Sequence, residues 1–148
     1  MNISLIGMMG AGKSTVARVL FEKLNSFSLV DIDELIERRE KCSINEIFKN
    51  KGEKEFRRIE SEVLLNTIKD DNLIISTGGG IVTSEININL LLENSVVFYL
   101  SAPVEVLVER LLSDTTRPLL SGGHLEEKIY SILNKRLPLY KTANYEIG

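Results

Sequence analysis

Gly7-Met8-Met9-Gly10-Ala11-Gly12-Lys13-Ser14 decides the fold, because it matches the pattern G-x-x-x-x-G-K-[ST] at every fixed position. Ahead of it, Ile3-Ser4-Leu5-Ile6 is a short apolar run of the kind that forms a buried strand. Behind it, Val16, Ala17, Val19, Leu20 and Leu24 recur at helical spacing. Strand, loop and helix in that order is the context in which such a loop grips phosphate. Its glycines let the backbone wrap an anion with N–H groups turned inward, and the helix N-terminus adds roughly half a positive charge. Lys13 is expected to reach the β- and γ-phosphates of a nucleoside triphosphate, and the Ser14 hydroxyl to ligand a Mg²⁺ ion bridging the same oxygens. The loop and first helical turn give the expected nucleotide-binding set: Gly10, Ala11, Gly12, Lys13, Ser14 and Thr15.

The chain has 148 residues, which predicts one domain over 1–148 with a core of its own. Hydrophobic residues make up 43%, charged residues 26%, and the formal net charge is −3. With no basic excess, a nucleic-acid surface is not expected. No apolar run approaches the roughly 18 residues of a membrane-spanning helix, so no membrane partner is expected. The lone Cys42 cannot close an internal disulfide, and the first strand begins almost at the N-terminus without a leader. Both features point to the cytoplasm.

Apolar runs at 3–6, 29–32, 73–75 and 96–100, with a further edge run at 144–147, are separated by helical patterns at 14–24, 33–41, 44–50, 53–69, 104–112 and 125–141. This alternation predicts an α/β fold with a parallel sheet covered on both faces. Ser43-Ile44-Asn45-Glu46 matches a capping box, and Pro103 suits the first turn of the helix that follows the run at 96–100. In open sheets of this kind ligands bind at the carboxyl ends of the strands.

Three constellations stand at those ends. Asp31-Ile32-Asp33 places two carboxylates on one side of an extended segment, where one can orient a hydrated Mg²⁺ and the other hold or deprotonate an attacking hydroxyl. Equally, Asp33 can be a helix N-cap and Asp31 a surface charge. Thr77-Gly78-Gly79-Gly80 is a glycine run whose entropy cost an ordinary loop would rarely carry. Either a substrate rests against its bare N–H groups, or a tight connection needs positive φ. Within Glu53-Lys54-Glu55-Phe56-Arg57-Arg58 either arginine can turn inward as a bidentate clamp, although charges on such a helix are usually solvated.

Residues 113–123 form a polar segment with a single arginine, Arg117, between Thr116 and Pro118. A lid closing over the γ-phosphate would stabilise charge in transfer and exclude water as a competing acceptor. Arg110 and Arg136 are ambiguous from sequence, each being either a ligand contact or a solvent-facing helix charge. Phe21, Phe27 and Phe48 read as core.

Taken together, these segments resemble the shikimate kinase family. The resemblance runs in order from Gly7–Ser14 through Asp31-Ile32-Asp33, Gly52-Glu53 with Phe56-Arg57, Gly78-Gly79-Gly80, Arg117-Pro118-Leu119-Leu120 and Arg136-Leu137-Pro138-Leu139-Tyr140. It implies a three-layer α/β/α P-loop NTPase fold with a five-stranded parallel sheet in the order 2-3-1-4-5 and a lid loop at about 113–123. It implies transfer of the ATP γ-phosphoryl group to the 3-hydroxyl of shikimate, with Mg²⁺ as cofactor and the enzyme a monomer. Lys13, Asp33 and Arg117 are the implied catalytic residues, Asp33 being the candidate base. Asp33, Arg57, Gly78, Gly79, Gly80 and Arg136 are implied to hold shikimate, the two arginines through its carboxylate. Arg110 is implied to stack near adenine beside Arg117 at the phosphates, and Asp31 to support the Ser14-bound ion through water. Members of the family continue past the last strand into an adenine-contacting loop and a closing helix, whereas this sequence stops at Gly148. Either the sequence is shortened, or nucleotide affinity and selectivity are weakened with the phosphate machinery intact; a missing terminal helix would also leave an apolar face of the sheet uncovered. Gluconate or a nucleoside monophosphate as acceptor, and a nucleotide-binding module without turnover, are the alternative readings.

Overall fold

Aliphatic side chains dominate Ile3–Ile6 (β1), Leu73–Ser76 (β3) and Val96–Leu100 (β4), and in the computed structural model these strands are the middle of one parallel sheet. Ser28–Asp31 (β2) and Tyr145–Ile147 (β5) are its edges, giving the order β2-β3-β1-β4-β5 implied by the resemblance. The structure describes residues 1–112 and 124–148; the expected lid and Arg117 lie outside them. Ile3 pairs with Ile74 on one side and with Val96 on the other. All four residues of β1 are buried, which is why the run reads as continuously apolar rather than alternating.

The two faces carry unequal cores. Lys13–Lys23 (α1) lays Ala17 over Ile3, Leu5 and Ile74 on one face. The larger core unites Ile6, Ile75, Val97 and Tyr99 of the sheet with apolar residues of Ile32–Glu40 (α2), Ile44–Thr67 (α3), Glu85–Asn94 (α4), Val104–Leu111 (α5) and Leu125–Tyr140 (α6). Packing of about this depth, at some 25 cal/mol per Å² of apolar surface, is what holds the loops at the strand ends in place.

Most expected boundaries hold to within one or two residues, and the departures have physical reasons. The patterns at 44–50 and 53–69 are the two arms of α3, joined through Gly52 at φ 85° and ψ 169°, a backbone position that L side chains avoid. Ser43 caps α3 as expected, its hydroxyl accepting from Glu46 N at 3.1 Å, while the Glu46 carboxylate accepts from that hydroxyl at 3.2 Å rather than from the Ser43 amide of a full capping box. Pro103 stands at the cap immediately before α5, its carbonyl accepting from Val106 N at 3.0 Å and Leu107 N at 3.1 Å. Helix α4 was hidden in the periodicity because Ile86-Asn87-Ile88-Asn89 alternates like a strand. The helix instead buries Asn87 and Leu91, four residues apart, and leaves Ile86 at the surface. Phe21 is also not core: it sits on the outer side of α1, 45% exposed.

Candidate active site

The phosphate loop is built as its sequence requires. Gly12 caps α1 in the left-handed region at φ 98°, which turns the chain from loop into helix. Lys13 is buried, and its ammonium donates to the carbonyls of Gly7 and, at 3.3 Å, of Met8. From α5, the exposed Arg110 reaches the loop, its Nη1 donating to Gly10 O at 2.8 Å. A cavity of about 550 Å³ opens here, lined by Gly10, Gly12, Lys13, Ser14, Thr15 and Arg110 among others.

A second cavity of about 570 Å³ adjoins it. Phe48 and Phe56, their ring centroids 4.8 Å apart, form its apolar wall, and Arg57 and Arg136 supply its positive charge. The two cavities share Met9, Ser14, Asp31, Asp33, Gly78 and Gly79. The two cavities therefore adjoin along these residues.

The glycine run is explained by close approach and not by backbone conformation, since none of Gly78, Gly79 and Gly80 has positive φ. A Cβ on Gly78 would sit 2.9 Å from Asp33 Oδ1 and 3.2 Å from Glu60 Oε2. One on Gly79 would sit 3.2 Å from Met9 N and 3.3 Å from Arg136 Nη1, and one on Gly80 would collide with the Arg57 guanidinium. The run makes room for the charged side chains that line the second cavity.

Sequence reasoning missed Glu60. It is fully buried on α3, one turn after Arg57, and its Oε1 accepts from Arg57 Nη1 at 3.1 Å. Arg57 is further fixed by Glu53 Oε2 at 3.6 Å and by the Phe56 ring, 5.1 Å from its Cζ to the ring centroid. Glu60 Oε2 and Arg136 Nη1 are buried without a hydrogen-bond partner among the described residues. Burial pushes the Glu60 carboxyl up to about 7, with Arg57 and Arg136 opposing the shift and Asp33 adding to it. The i,i+3 spacing of Arg57 and Glu60, each next to an apolar position (Phe56 and Ile59), was the available signal.

This carboxyl makes stability depend on pH. Raised from its usual 4.5 to about 7 on folding, it contributes stability that is fully present below 4.5 and is lost as pH rises through 7. The loss is about 3 kcal/mol by linkage. Relative to the wild type, Glu60→Gln is expected to gain thermal midpoint steadily between pH 5 and 8, measured by calorimetry. A difference between the two proteins that stays constant over that range would show that Glu60 titrates as an ordinary surface carboxylate.

Asp31 and Asp33 are not a pair on one extended segment, as the sequence suggested. Helix α2 starts at Ile32, so Asp31 is the last strand residue and the N-cap, accepting from Glu34 N at 3.2 Å, while Asp33 lies in the first helical turn. Both nevertheless line the two cavities, because the turn from strand to helix wraps around the same space. The structure also separates the two arginines that sequence left equivalent. Arg57 faces the cavity, whereas Arg58 is exposed and paired with Glu55 at 2.5 Å and Glu62 at 2.5 Å.

A family model for shikimate kinase matches residues 9–147. The shikimate kinase of Caldicellulosiruptor bescii is 42% identical over 147 residues, covering 99% of this chain and 85% of that protein. Among solved structures, shikimate kinase from Acinetobacter baumannii in complex with shikimate superimposes with a TM-score of 0.96 at 40% identity, covering 99% of this chain and 82% of that one. Shikimate kinase from Bacteroides thetaiotaomicron follows at 0.93 and 34%, covering 100% and 86%. With a family model over most of its length and relatives 40% to 42% identical across 99% of it, the chain belongs to the shikimate kinase family.

Proposed function

We propose that the protein transfers the γ-phosphoryl group of ATP to the 3-hydroxyl of shikimate, giving shikimate 3-phosphate and ADP on the route to chorismate and the aromatic amino acids. The observation that carries this reading is Arg136, a guanidinium only 6% exposed at the acceptor cavity with Nη1 unpaired among the described residues. A buried guanidinium N–H without a hydrogen-bond acceptor is costly, so a cavity into which one is turned suits an anion. The planar carboxylate of shikimate matches the arginine fork, and Arg57, steadied by Glu60, is the second clamp.

In this reading Asp33, next to Gly78 where the two cavities meet, aligns the acceptor hydroxyl. As the hydroxyl oxygen bonds to the γ-phosphorus, its proton passes to the Asp33 carboxylate and the bond from phosphorus to the ADP oxygen breaks. Lys13 and Arg117 balance the charge on the transferred group, and Arg110 flanks the nucleotide beside Gly10. Among the described residues no three acidic, histidine or cysteine side chains cluster as a metal cage, which suits an ion held mainly by phosphate oxygens and water. Ser14 and Asp31 line both cavities and would hold Mg²⁺ there, the second through water, where the ion neutralises charge on the phosphates. The whole chain, 1–148, acts as one kinase domain, monomeric and cytoplasmic. No helix among the described residues is long and apolar enough to cross a membrane.

A coupled ADP assay with Mg·ATP tests the reading across a panel of acceptors. Shikimate is expected to stimulate ADP release well above the rate with water. Stimulation only by gluconate or by a nucleoside monophosphate would replace the acceptor, and ATP binding with no acceptor-dependent ADP would mark a nucleotide-binding module.

A further inference from the structure

The peptide between Gly79 and Gly80 has a mechanical problem. A peptide unit is rigid, so its carbonyl and N–H point in opposite directions, and its orientation is set by the two dihedral angles on either side. With glycine on both sides there is no Cβ to oppose rotation of the whole unit, and a flip would carry the Gly80 N–H away from where it stands. Among the described residues, the amides of Gly79 and Gly80 have no acceptor of their own to hold them. The restraint comes from the other end of the unit: the Tyr140 hydroxyl donates to Gly79 O at 2.5 Å.

Tyr140 is well placed to hold a fixed position. It is fully buried, and its ring stacks on Tyr99 of β4 with centroids 4.9 Å apart and planes 11° apart. Tyr99 in turn is paired in register with Ile6, the residue that leads into the phosphate loop. Burial pushes the Tyr140 hydroxyl up to about 12, with Arg136 opposing, so it stays protonated near neutrality and its one proton goes to Gly79. Arg136 lies one helical turn before Tyr140 on the same side of α6, and Gly79 packs against its Nη1.

We propose that Tyr140 is a positioning residue for the acceptor: its hydroxyl locks the Gly79–Gly80 peptide against flipping, and so fixes the floor of the acceptor cavity relative to Arg136. The inference rests on the acceptor reading above and adds to it a residue that touches neither substrate. Its consequence is selective. Loss of the hydroxyl acts mainly on the acceptor, because Gly79 borders both cavities but Gly80 and Arg136 line only the one assigned to the acceptor.

The test compares Tyr140→Phe with Tyr99→Phe, which removes the other hydroxyl of the same ring stack. For Tyr140→Phe the KM for shikimate is expected to rise about tenfold, with the KM for Mg·ATP within about twofold and the thermal midpoint within a few degrees. Tyr99→Phe is expected to leave both KM values unchanged. The proposal is overturned if the shikimate KM of Tyr140→Phe moves less than about twofold, or if Tyr99→Phe matches it. A Tyr140→Phe protein that no longer folds also overturns it, since the hydroxyl would then support the fold and not the site. Wild-type turnover of shikimate in the same assay tests the acceptor itself, so failure there is distinguishable from failure of the tyrosine.

Discussion

Lys13→Ala is expected to lower kcat/KM for the transfer by about a thousandfold, with the fold intact by circular dichroism. The reason lies in where the ammonium sits. It is buried beneath the loop, bonded to the Gly7 and Met8 carbonyls, so it is held against main chain at the cavity that the proposed reading gives to the phosphates. A charge fixed in advance in a poorly solvated site stabilises developing negative charge without reorganising, and alanine supplies nothing in its place. Steady-state kinetics with saturating shikimate checks this. A loss of less than about tenfold would mean that backbone amides and the metal ion carry the phosphate chemistry without it.

Arg136→Ala should act on the other substrate. The KM for shikimate is expected to rise by about a hundredfold, while the KM for ATP changes by less than about threefold, because a buried, hydrogen-bonded charge pair is lost on one side only. Arg136→Lys should recover little of this, since an ammonium keeps the charge but not the planar fork. Isothermal titration with shikimate in the presence of a non-hydrolysable ATP analogue separates binding from turnover. Equal losses for both substrates would contradict the division of labour between the two cavities.

The fold was legible to unequal depth. The phosphate loop could be read outright because its function constrains eight consecutive residues, and the strands around it because parallel strands are apolar on both faces. Strand order could not be read from periodicity, since every parallel arrangement buries the same runs; the resemblance supplied it. Helix α4 was invisible because its exposed Ile86 and buried Asn87 invert the usual rule, the Asn87 side-chain N–H donating to Ile81 O at 3.0 Å. In the site, the glycine run announced a close approach but not its partner. The partners are the charged groups of Arg57, Asp33, Glu60 and Arg136, which come from three different helices and meet only in the folded chain. Arg57 and Arg58 were inseparable in sequence because neighbours on a helix differ by about 100° in direction, and only packing decides which points inward.

The seam formed by Met9, Ser14, Asp31, Asp33, Gly78 and Gly79 belongs to both chambers. One inhibitor can therefore occupy the enzyme end to end: a carboxylate-bearing ring at Arg136, joined through a phosphate bridge to a nucleoside beside Arg110. Tethering the two halves would let each raise the effective concentration of the other, so even weak fragments become tight once linked at the right length.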